Sequence, residues 1–537
     1  MKQFNCDVLV VGAGIAGLRA AMQCSSADRK TIVAYLGSGA SPNVFGFSAL
    51  LKDSPVDSFE TFRDDLMRSG GGINDPEIVA ALINNSTTLE AELAEIGYIT
   101  VPRKRVKGQK GGAGHSVSRG NSSDKAVGPE TQRLLREKLT AKGVDFHENI
   151  EVIFPIMYRG RIAGAAARNL STGEDIVYRC NAVVLACGGV GSLVKNSSYP
   201  EDDKAGYIPF ALLAGASIVD MEFVQTEPCT CMSHPAIMNM PVPCGFFTSG
   251  AKLLNNNGER FIQKYGYETE GGLLKAILVH AITTEINEGR GTPEGGVYYD
   301  ATNVAESKFV RFESKNIRLA KAGLSFKDTP LMVRPGPHSH MGGVLMNAKC
   351  ETGVPGLFVG GESGSGVHGA ARMAGCGGTT ALVFGKIAGD SAAEYLNRTP
   401  GLPIQEEEWE AARTGSVDRA ERFAAGFSSD RESMHAISAI LKQAVGPERD
   451  GETIRRCLND LKETTGKNAE SPDFESVRVF GAVKAAEAIM TAALMREETR
   501  GCHYRKDFPE ENEKWKARIA FRLMEDGTLE SRIIPCN

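Results

Sequence analysis

The first residues in this sequence that could bind a ligand are the glycines of a short turn. Gly12, Gly14 and Gly17 follow an apolar run, Asp7–Val11, and precede a stretch with helical periodicity. In a dinucleotide-binding turn the first glycine permits a tight bend, the second admits a pyrophosphate, and the third lets the helix pack closely on the strand. The helix N-terminus would then present its partial positive charge to the phosphates. This order predicts a dinucleotide site that includes Ala16, and a purely structural glycine turn is the alternative.

Later segments complete the pattern of a nucleotide-binding sheet. We expect strands at Thr31–Leu36 and Ala182–Gly189, and a last strand at Gly356–Glu362 that leads into a glycine-rich turn and a helix. The acidic residue that often binds ribose after the second strand is missing, so the ribose ligand near Ser38 stays open. The glycine turn at one end and the last strand far downstream indicate a nucleotide domain with an insertion. Further candidate cofactor contacts are Ser48, Gly188, Glu362 and Thr379.

Length and charge limit the kind of protein that this can be. A chain of 537 residues is too long for one core, so we expect two or three domains. With 61 basic and 66 acidic residues the net charge is −5, which gives no electrostatic reason to expect nucleic acid or an anionic membrane as a partner. No apolar run reaches transmembrane length and no signal peptide precedes the first strand, so we expect a chain that does not span a membrane, with a cytoplasmic location.

The 12 cysteines predict neither a disulfide scaffold nor a metal site. The nearest grouping is Cys229 and Cys231, with Cys244 further along, and a two-residue step rarely matches the spacing of metal ligands. We therefore expect reduced structural thiols and no bound metal.

Six segments, in the same order along the chain, resemble the flavoproteins of the fumarate reductase and succinate dehydrogenase family, which includes L-aspartate oxidase. One of them is similar to the family's Gly-Gly-His-Ser-x-x-Arg segment and another to its Val-His-Gly-Ala-Asn-Arg segment. The six are Gly112–Arg119, Gly215–Gln225, Gly258–Phe261, His338–Gly343, Val367–Arg372 and Glu498–Pro509.

The resemblance implies an α/β fold in which a Rossmann-like FAD-binding domain is split by an inserted α+β capping domain and followed by a helical domain. The FAD-binding domain would take residues 1–228 and 338–400, and the capping domain 229–337. The helical domain would take 401–500 and a C-terminal segment 501–537. Dinucleotide folds place ligands at the carboxyl ends of the strands, so a capping domain above that edge would enclose the substrate and exclude water.

The resemblance also implies which residues act on the substrate. In this family hydride passes between flavin N5 and a carbon of an alkene conjugated to a carboxylate. Histidines and an arginine clamp the carboxylates, and a second arginine transfers the proton. Such clamps suit the chemistry, because carboxylates pair best with bidentate cations and developing charge needs fixed donors. The matching segments place His338 and Arg372 in clamp roles.

Two positions depart from the family pattern. The family's Gln-x-His-Pro has Glu227 in place of histidine, and its proton-delivering arginine aligns with Lys275. A lysine lacks the planar fork of arginine, and a carboxylate at Glu227 would repel a second substrate carboxylate unless it were protonated. We therefore expect a small carboxylic acid with one acid end and one polar end rather than fumarate. An internal pair between Glu227 and Lys275 is the alternative.

The flavin linkage departs as well. Covalent members of the family have Ser-His-Thr-Val, whose histidine bonds the flavin ring, where this chain has the run Ser41–Val44 with Pro42 at the histidine position. Proline cannot form that bond, so the resemblance implies FAD held non-covalently. The absence of the covalent link favours reduction or oxidase chemistry over succinate oxidation.

Three functions therefore stay open at this stage. The leading one is hydride transfer between flavin and a carbon–carbon bond beside a carboxylate. The others are an amino-acid oxidase similar to L-aspartate oxidase, and a flavoprotein electron-transfer subunit of a larger complex. The sequence contains no haem or iron–sulfur motif, so an iron–sulfur or other electron-transfer partner subunit would have to be external.

Overall fold

The computed structural model describes residues 2–27, 29–50, 54–100, 112–121, 125–200, 206–399, 404–427, 431–465 and 473–536. Its strands are β1 (Lys2–Asn5), β2 (Val8–Val11), β3 (Thr31–Tyr35), β4 (Phe47–Ser48), β5 (Gly120–Asn121), β6 (Asp145–Glu148), β7 (Ile150–Tyr158), β8 (Arg161–Asn169), β9 (Asp175–Arg179), β10 (Ala182–Leu185), β11 (Ile218–Val219), β12 (Val224–Cys231), β13 (Lys252–Leu254), β14 (Val297–Asp300), β15 (Leu331–His340), β16 (Gly343–Val344), β17 (Leu357–Val359), β18 (Ala517–Leu523) and β19 (Leu529–Pro535). Its helices are α1 (Ile15–Ser26), α2 (Phe59–Ser69), α3 (Pro76–Ser86), α4 (Leu89–Glu95), α5 (Val127–Ala141), α6 (Tyr207–Ala214), α7 (Lys275–Asn287), α8 (Glu313–Lys321), α9 (Cys376–Arg398), α10 (Glu406–Ala424), α11 (Arg431–Ala444), α12 (Gly451–Thr465) and α13 (Phe474–Met495).

A five-stranded parallel sheet, in the order β17-β10-β2-β3-β6, carries the glycine turn. Strands such as β2 and β10 are short apolar runs that are wholly buried, as a parallel sheet covered by helices requires. Helices α1 and α9 pack closely on each other, and glycine at position 385 permits this approach. A Cβ added at Gly385 would lie only 2.4 Å from the carbonyl oxygen of Ala16. The predicted Rossmann-like α/β fold is confirmed.

A separate antiparallel sheet, β12-β15-β14-β13, arises from the sequence between β10 and β17. It has a hydrophobic core of its own, built on aromatic residues such as Phe246 and Phe309. Helix α7 packs against β12 and β15, and the pairing of those two strands is irregular on both sides of Glu227. Irregular pairing re-aims side chains, and here it sets the direction of the predicted site residues on both strands. The predicted domain boundaries stay a prediction, and the one at residue 400 lies outside the described residues.

Helices α11, α12 and α13 pack together, and a buried network of charges holds the segment that follows α13. Arg496 bonds Glu222 at 2.7 Å and Glu498 at 2.9 Å, and Arg500 bonds Glu498 at 2.7 Å. Charges can be buried at this depth because each carboxylate has a guanidinium partner. The network ties the chain near residue 500 to the start of β12, where the candidate site begins. In the described part of the chain, no helix is long and apolar enough to cross a membrane.

Candidate active site

A cavity of about 1460 Å³ lies at the carboxyl ends of the parallel strands. This is where nucleotide folds bind their ligands. The residues predicted to contact the cofactor mostly line it, and those that do so are Gly12, Gly14, Ala16, Ser38, Ser48, Gly188 and Glu362. The N-terminal ends of α1 and α9 both reach the cavity, so two helices direct partial positive charge towards one space.

Side chains are excluded from the glycine turn, which keeps its backbone accessible to a pyrophosphate. The distances from a Cβ added at each glycine show this exclusion. At Gly12 the added atom would lie 2.2 Å from the Ala186 carbonyl oxygen, and the φ of +111° is one that only glycine adopts freely. At Gly14 it would lie 2.9 Å from Ser41 Oγ, on the side of the cavity. Gly17 does not line the cavity; its added Cβ would lie 1.9 Å from the Gly12 carbonyl oxygen, so Gly17 serves the close packing of helix and turn. The backbone therefore leaves room for phosphate next to the N-terminus of α1.

The predicted contacts Thr379 and Ser48 bond each other. Thr379 Oγ1 donates to the Ser48 carbonyl oxygen at 2.7 Å and accepts from the Ser48 N–H at 2.9 Å. Thr379 does not itself line the cavity, whereas Thr380, the next residue on α9, does. The structure thus gives Thr379 the role of holding Ser48 and β4 at the cavity wall, and direct contact of Thr379 with the cofactor stays a prediction from sequence.

Glu362 is buried in the cavity wall, where two donors hold its carboxyl group. Tyr199 donates its hydroxyl to Glu362 Oε2 at 2.6 Å, and the backbone N–H of His340 donates to Oε1 at 2.9 Å. Burial raises the pKa of Glu362, although these donors oppose the rise. A Cβ at Gly189 would lie 2.7 Å from Glu362 Oε1, so the glycine pair after β10 is what admits this carboxyl group.

The segment around Pro42 offers no side chain that could bond the flavin covalently. Residues Ser41–Asn43 form a single 3₁₀ turn with Pro42 inside it, and Ser41 Oγ accepts the N–H of Ile15 at 2.9 Å. The turn thus braces the start of α1, and no side chain at Pro42 can bond a flavin. We expect acid precipitation of the purified protein to leave intact FAD in the supernatant. Yellow colour or in-gel flavin fluorescence that stays with the denatured chain would contradict a non-covalent flavin.

The predicted substrate residues His338 and Arg372 both line the same cavity. His338 lies on β15, where Ser198 Oγ contacts its Nδ1 at 2.7 Å and the Tyr199 ring packs edge-on at 5.2 Å between centroids. These contacts fix the ring plane and leave Nε2 pointing towards Glu227. The structure therefore places the two predicted clamp residues together, as the carboxylate hypothesis requires.

Arg372 is held in place without using its charge. Its backbone N–H donates to Gln225 Oε1 at 2.7 Å, its Nε donates to Ser339 Oγ at 3.3 Å, and its Nη1 approaches the Met373 carbonyl oxygen at 3.5 Å. Among the described residues, no carboxylate forms an ion pair with the guanidinium. A cation positioned by neutral partners at a cavity wall is suited to bind an anion from outside, and a guanidinium can bind a carboxylate with two parallel bonds.

Glu227 and Lys275 form an ion pair with each other. Lys275 Nζ bonds Glu227 Oε2 directly, and Cys244 Sγ donates to Glu227 Oε1 at 3.3 Å. The side chains of the pair are 6% and 12% exposed, and neither residue lines the cavity. The pair lies directly behind His338, whose Nε2 is 3.7 Å from Glu227 Oε2. The internal pairing considered as an alternative from sequence is the arrangement that the structure shows.

The charges of this cluster determine which groups are ionised. Burial alone would raise the pKa of Glu227, but Lys275 and His338 lower it to about 2, so the carboxylate is ionised at neutral pH. Burial, together with Lys275, Arg372 and Lys315, lowers the pKa of His338 to about 3 against the opposing effect of Glu227. His338 is therefore a neutral imidazole that can offer one N–H to a substrate oxygen.

The segment Gly112–Arg119 lines the cavity through Gly112, His115 and Ser118 and also braces its wall. Arg119 is fully buried and bonds Asp57 at 2.8 Å and Asp65 at 2.6 Å. His115 Nε2 lies 2.7 Å from the carbonyl oxygen of Ala374, immediately before α9. This family-like segment therefore anchors the start of α9.

Sequence reasoning missed several residues of the site. Ser198, Tyr199 and Ser339 orient predicted residues, and Lys315 contributes a buried charge. Ser339 lies within the family-like segment His338–Gly343, but the other three belong to no motif, so only their neighbours in space identify them. In the described part of the chain, no group of three or more His, Cys, Asp or Glu side chains could hold a metal ion.

The chain is similar to known proteins both in sequence and in fold. The family model for the FAD binding domain matches residues 7–377, and that for the fumarate reductase flavoprotein C-terminus matches residues 434–533. One subunit of the fumarate reductase (CoM/CoB) of Methanothermobacter marburgensis is 29% identical over 96% of this chain and 97% of its own. The L-aspartate oxidase of Streptomyces coelicolor is 28% identical over 97% of this chain and 92% of its own. The FrdA chain of an E. coli quinol fumarate reductase mutant has the same fold, with a TM-score of 0.87 at 24% identity and coverage of 100% and 97%.

Proposed function

Because this chain belongs to the flavoprotein family of fumarate reductase and succinate dehydrogenase, and is an FAD-dependent oxidoreductase, we propose that it acts on a carbon–carbon bond next to a carboxylate. We propose further that its substrate is a small acid other than fumarate, with one carboxylate at Arg372 and a different polar group at the other end. The ion pair between Glu227 and Lys275 is the observation that carries this proposal.

The carboxylate end of the substrate is assigned to Arg372 and His338. Arg372 offers a guanidinium without an acidic partner among the described residues, and His338 offers a neutral ring held by Ser198. A carboxylate bound to both would be fixed in orientation, and its negative charge would be balanced at the point where charge develops during the reaction. These two residues therefore bind and orient the acid.

The chemical group at the other end of the substrate is inferred from the charge state of Lys275. Its ammonium is already paired with an ionised Glu227, so it offers no net charge to a second carboxylate on that side. Fumarate bound at Arg372 would leave its second carboxylate on that side without a cation to balance it, and an unpaired charge in a buried site is costly. A substituted acrylate, or another acid without a carboxylate at that position, avoids it.

The chain's own residues would handle the proton that accompanies hydride transfer. FAD, held by the residues of the glycine turn and by the wall containing Ser48 and Glu362, would supply or accept the hydride when bound. Lys275 Nζ donates a hydrogen bond to Glu227 Oε2, and Glu227 Oε2 is 3.7 Å from Nε2 of His338, which lines the cavity. We assign Lys275 as the proton source; because it does not line the cavity, its proton would reach the substrate through Glu227 and His338, while the buried wall excludes water.

An amino-acid oxidase is the second candidate. A buried anion at Glu227 would suit a substrate ammonium, and relatives that share nearly the whole length of this chain are L-aspartate oxidases. Consumption of dioxygen with release of hydrogen peroxide on addition of an amino acid would favour this candidate over the first.

We also propose an external electron-transfer partner, such as an iron–sulfur subunit. Several relatives are named as subunits, among them the 8-methylmenaquinol:fumarate reductase flavoprotein subunit of Wolinella succinogenes, 27% identical over 94% of this chain. The isolated chain should then turn over an acid with an artificial electron donor. A chain that binds FAD but turns over no acid under these conditions would instead be an electron carrier.

Changing Glu227 to the residue of the family pattern tests the proposal. We expect Glu227→His to lose rate on the native substrate and to gain fumarate reduction, because the carboxylate that neutralises Lys275 is replaced by a hydrogen-bond donor and the charge of Lys275 is released. The matched control is Glu227→Gln, which removes the charge without adding a ring and should gain less. The measurement is kcat/KM for fumarate in both variants. Efficient fumarate reduction by the unchanged protein would refute the role given to Glu227.

A further inference from the structure

Lys315 is a buried cation next to the active-site cavity, and no motif points to it. It lies on α8, it is 4% exposed, and its Nζ donates to the Pro241 carbonyl oxygen at 2.6 Å. The same Nζ lies 5.1 Å from the centre of the Phe45 ring. Both Pro241 and Phe45 line the cavity, whereas Lys315 itself does not, so the ammonium stands directly behind this part of the cavity wall.

The ammonium of Lys315 is incompletely satisfied. Within the described ranges it forms one hydrogen bond and no ion pair, although an ammonium has three protons to donate. An ionised group buried without a partner of opposite charge is costly, and such groups are usually paired or bind a ligand. The contact with Phe45 offsets only part of this cost.

The surrounding charges leave Lys315 available for an anion. Glu227 on β12 is the acidic group whose field reaches Lys315, but Glu227 is directly bonded to Lys275. Arg318 on the same helix acts in the opposite direction. Lys315 is therefore a buried cation next to the cavity that forms no ion pair with a carboxylate of the described residues, as Arg372 is at the cavity wall.

We propose that Lys315 binds a second anionic group of the substrate, at a place different from the one that Lys275 would provide. This rests on the proposed function and specifies it further: the polar end of the acid is negatively charged, and an acid with an ammonium at that end is excluded. Lys315 thereby determines specificity, while Arg372 and His338 hold the carboxylate beside the reacting bond.

The pH dependence of binding follows from the position of Lys315. Burial lowers the pKa of Lys315 to about 8, against the effect of Glu227 and with that of Arg318. The ammonium is protonated below this value, so attraction for a second anion is present near neutral pH and is lost as pH rises through about 8. Arg372 stays charged throughout, so binding of a single carboxylate should not follow the same curve.

The test compares saturated acids of equal length with one or two carboxylates, namely pentanoate with glutarate and hexanoate with adipate. Binding to the oxidised holoenzyme is read from the perturbation of the flavin absorbance. We expect at least one diacid to bind about tenfold more tightly than its monoacid near neutral pH, and this preference to disappear in Lys315→Met. Lys321→Met, at an exposed position of the same helix, and Lys315→Arg should keep it.

A second measurement uses the wild-type protein alone, so it does not depend on whether Lys315→Met folds. The preference for the diacid should fall as pH is raised from about 7 to about 9.5, while the affinity for the monoacid stays level. The inference would be overturned if the wild type showed no preference for any diacid, or if Lys315→Met retained that preference. It would also be overturned if the preference of the wild type did not change with pH. If Arg372→Ala weakens all four acids and Lys315→Met weakens none, the inference fails and the proposed function stands. If Arg372→Ala weakens none of them, the proposed carboxylate site fails instead.

Discussion

Replacing Arg372 with alanine should abolish turnover while FAD stays bound. The guanidinium forms no ion pair with a carboxylate of the described residues, and the hydrogen bonds that the folded chain loses are those to Ser339 and Met373. The backbone bond to Gln225 does not depend on the side chain. Removing the partner of a buried substrate carboxylate should cost about 3 kcal/mol or more, which is more than about a hundredfold in kcat/KM.

Ser339→Ala is the matched control for Arg372→Ala. It removes the hydroxyl that holds the guanidinium but leaves the charge, so we expect a small loss of activity. The measurements are steady-state kinetics and the ratio of flavin to protein absorbance in both variants. Near-normal activity of Arg372→Ala with full FAD content would remove Arg372 from the carboxylate site.

Lys275→Met should slow the chemical step by about a hundredfold or more, which is the usual contribution of a positioned proton carrier. The substitution also leaves the buried Glu227 without its main partner, and breaking a buried pair costs about 3 to 5 kcal/mol. A loss of rate in this variant therefore has two possible causes, the missing proton carrier and a disturbed fold. A second variant is needed to separate them.

The double variant Lys275→Met with Glu227→Gln separates the two causes, because it removes both charges of the pair. If Lys275 supplies the proton, the double variant stays slow although its thermal stability recovers. Flavin reduction or reoxidation in a single turnover measures the chemical step, and Tm measures the fold. A double variant within a few-fold of the unchanged protein would show that Lys275 only neutralises Glu227.

The parts of this protein that could be predicted from sequence are those fixed by local backbone requirements. Gly12 occupies a conformation that favours glycine, and the Ala186 carbonyl oxygen leaves no room for a Cβ there, so the residue type follows from the turn itself. The buried strands on either side are apolar runs, and their type follows from burial on both faces. The order of these elements was therefore sufficient to predict the parallel sheet and the cofactor cavity.

For the part of the site that would bind the substrate, the sequence predicted which residues take part but not which of them contact each other. Glu227 and Lys275 are separated by 48 positions, and whether they meet depends on how α7 packs against β12. No local pattern records that packing, so internal pairing and substrate contact both stayed open. Thr379 shows the same limit on a smaller scale: its position on α9 was expected, but one residue of helix rotation directs Thr380 to the cavity instead.

Reoxidation of the reduced flavin by unsaturated acids tests the central claim most directly. The holoenzyme would be reduced with dithionite without oxygen and mixed with a panel of α,β-unsaturated acids that includes fumarate, and the return of oxidised flavin absorbance would be followed. We predict that at least one acid other than fumarate reoxidises the flavin fastest and is recovered as its saturated product, in equal amount to the flavin. Reoxidation by fumarate faster than by any other acid, or reoxidation by none of them, would contradict the proposed function.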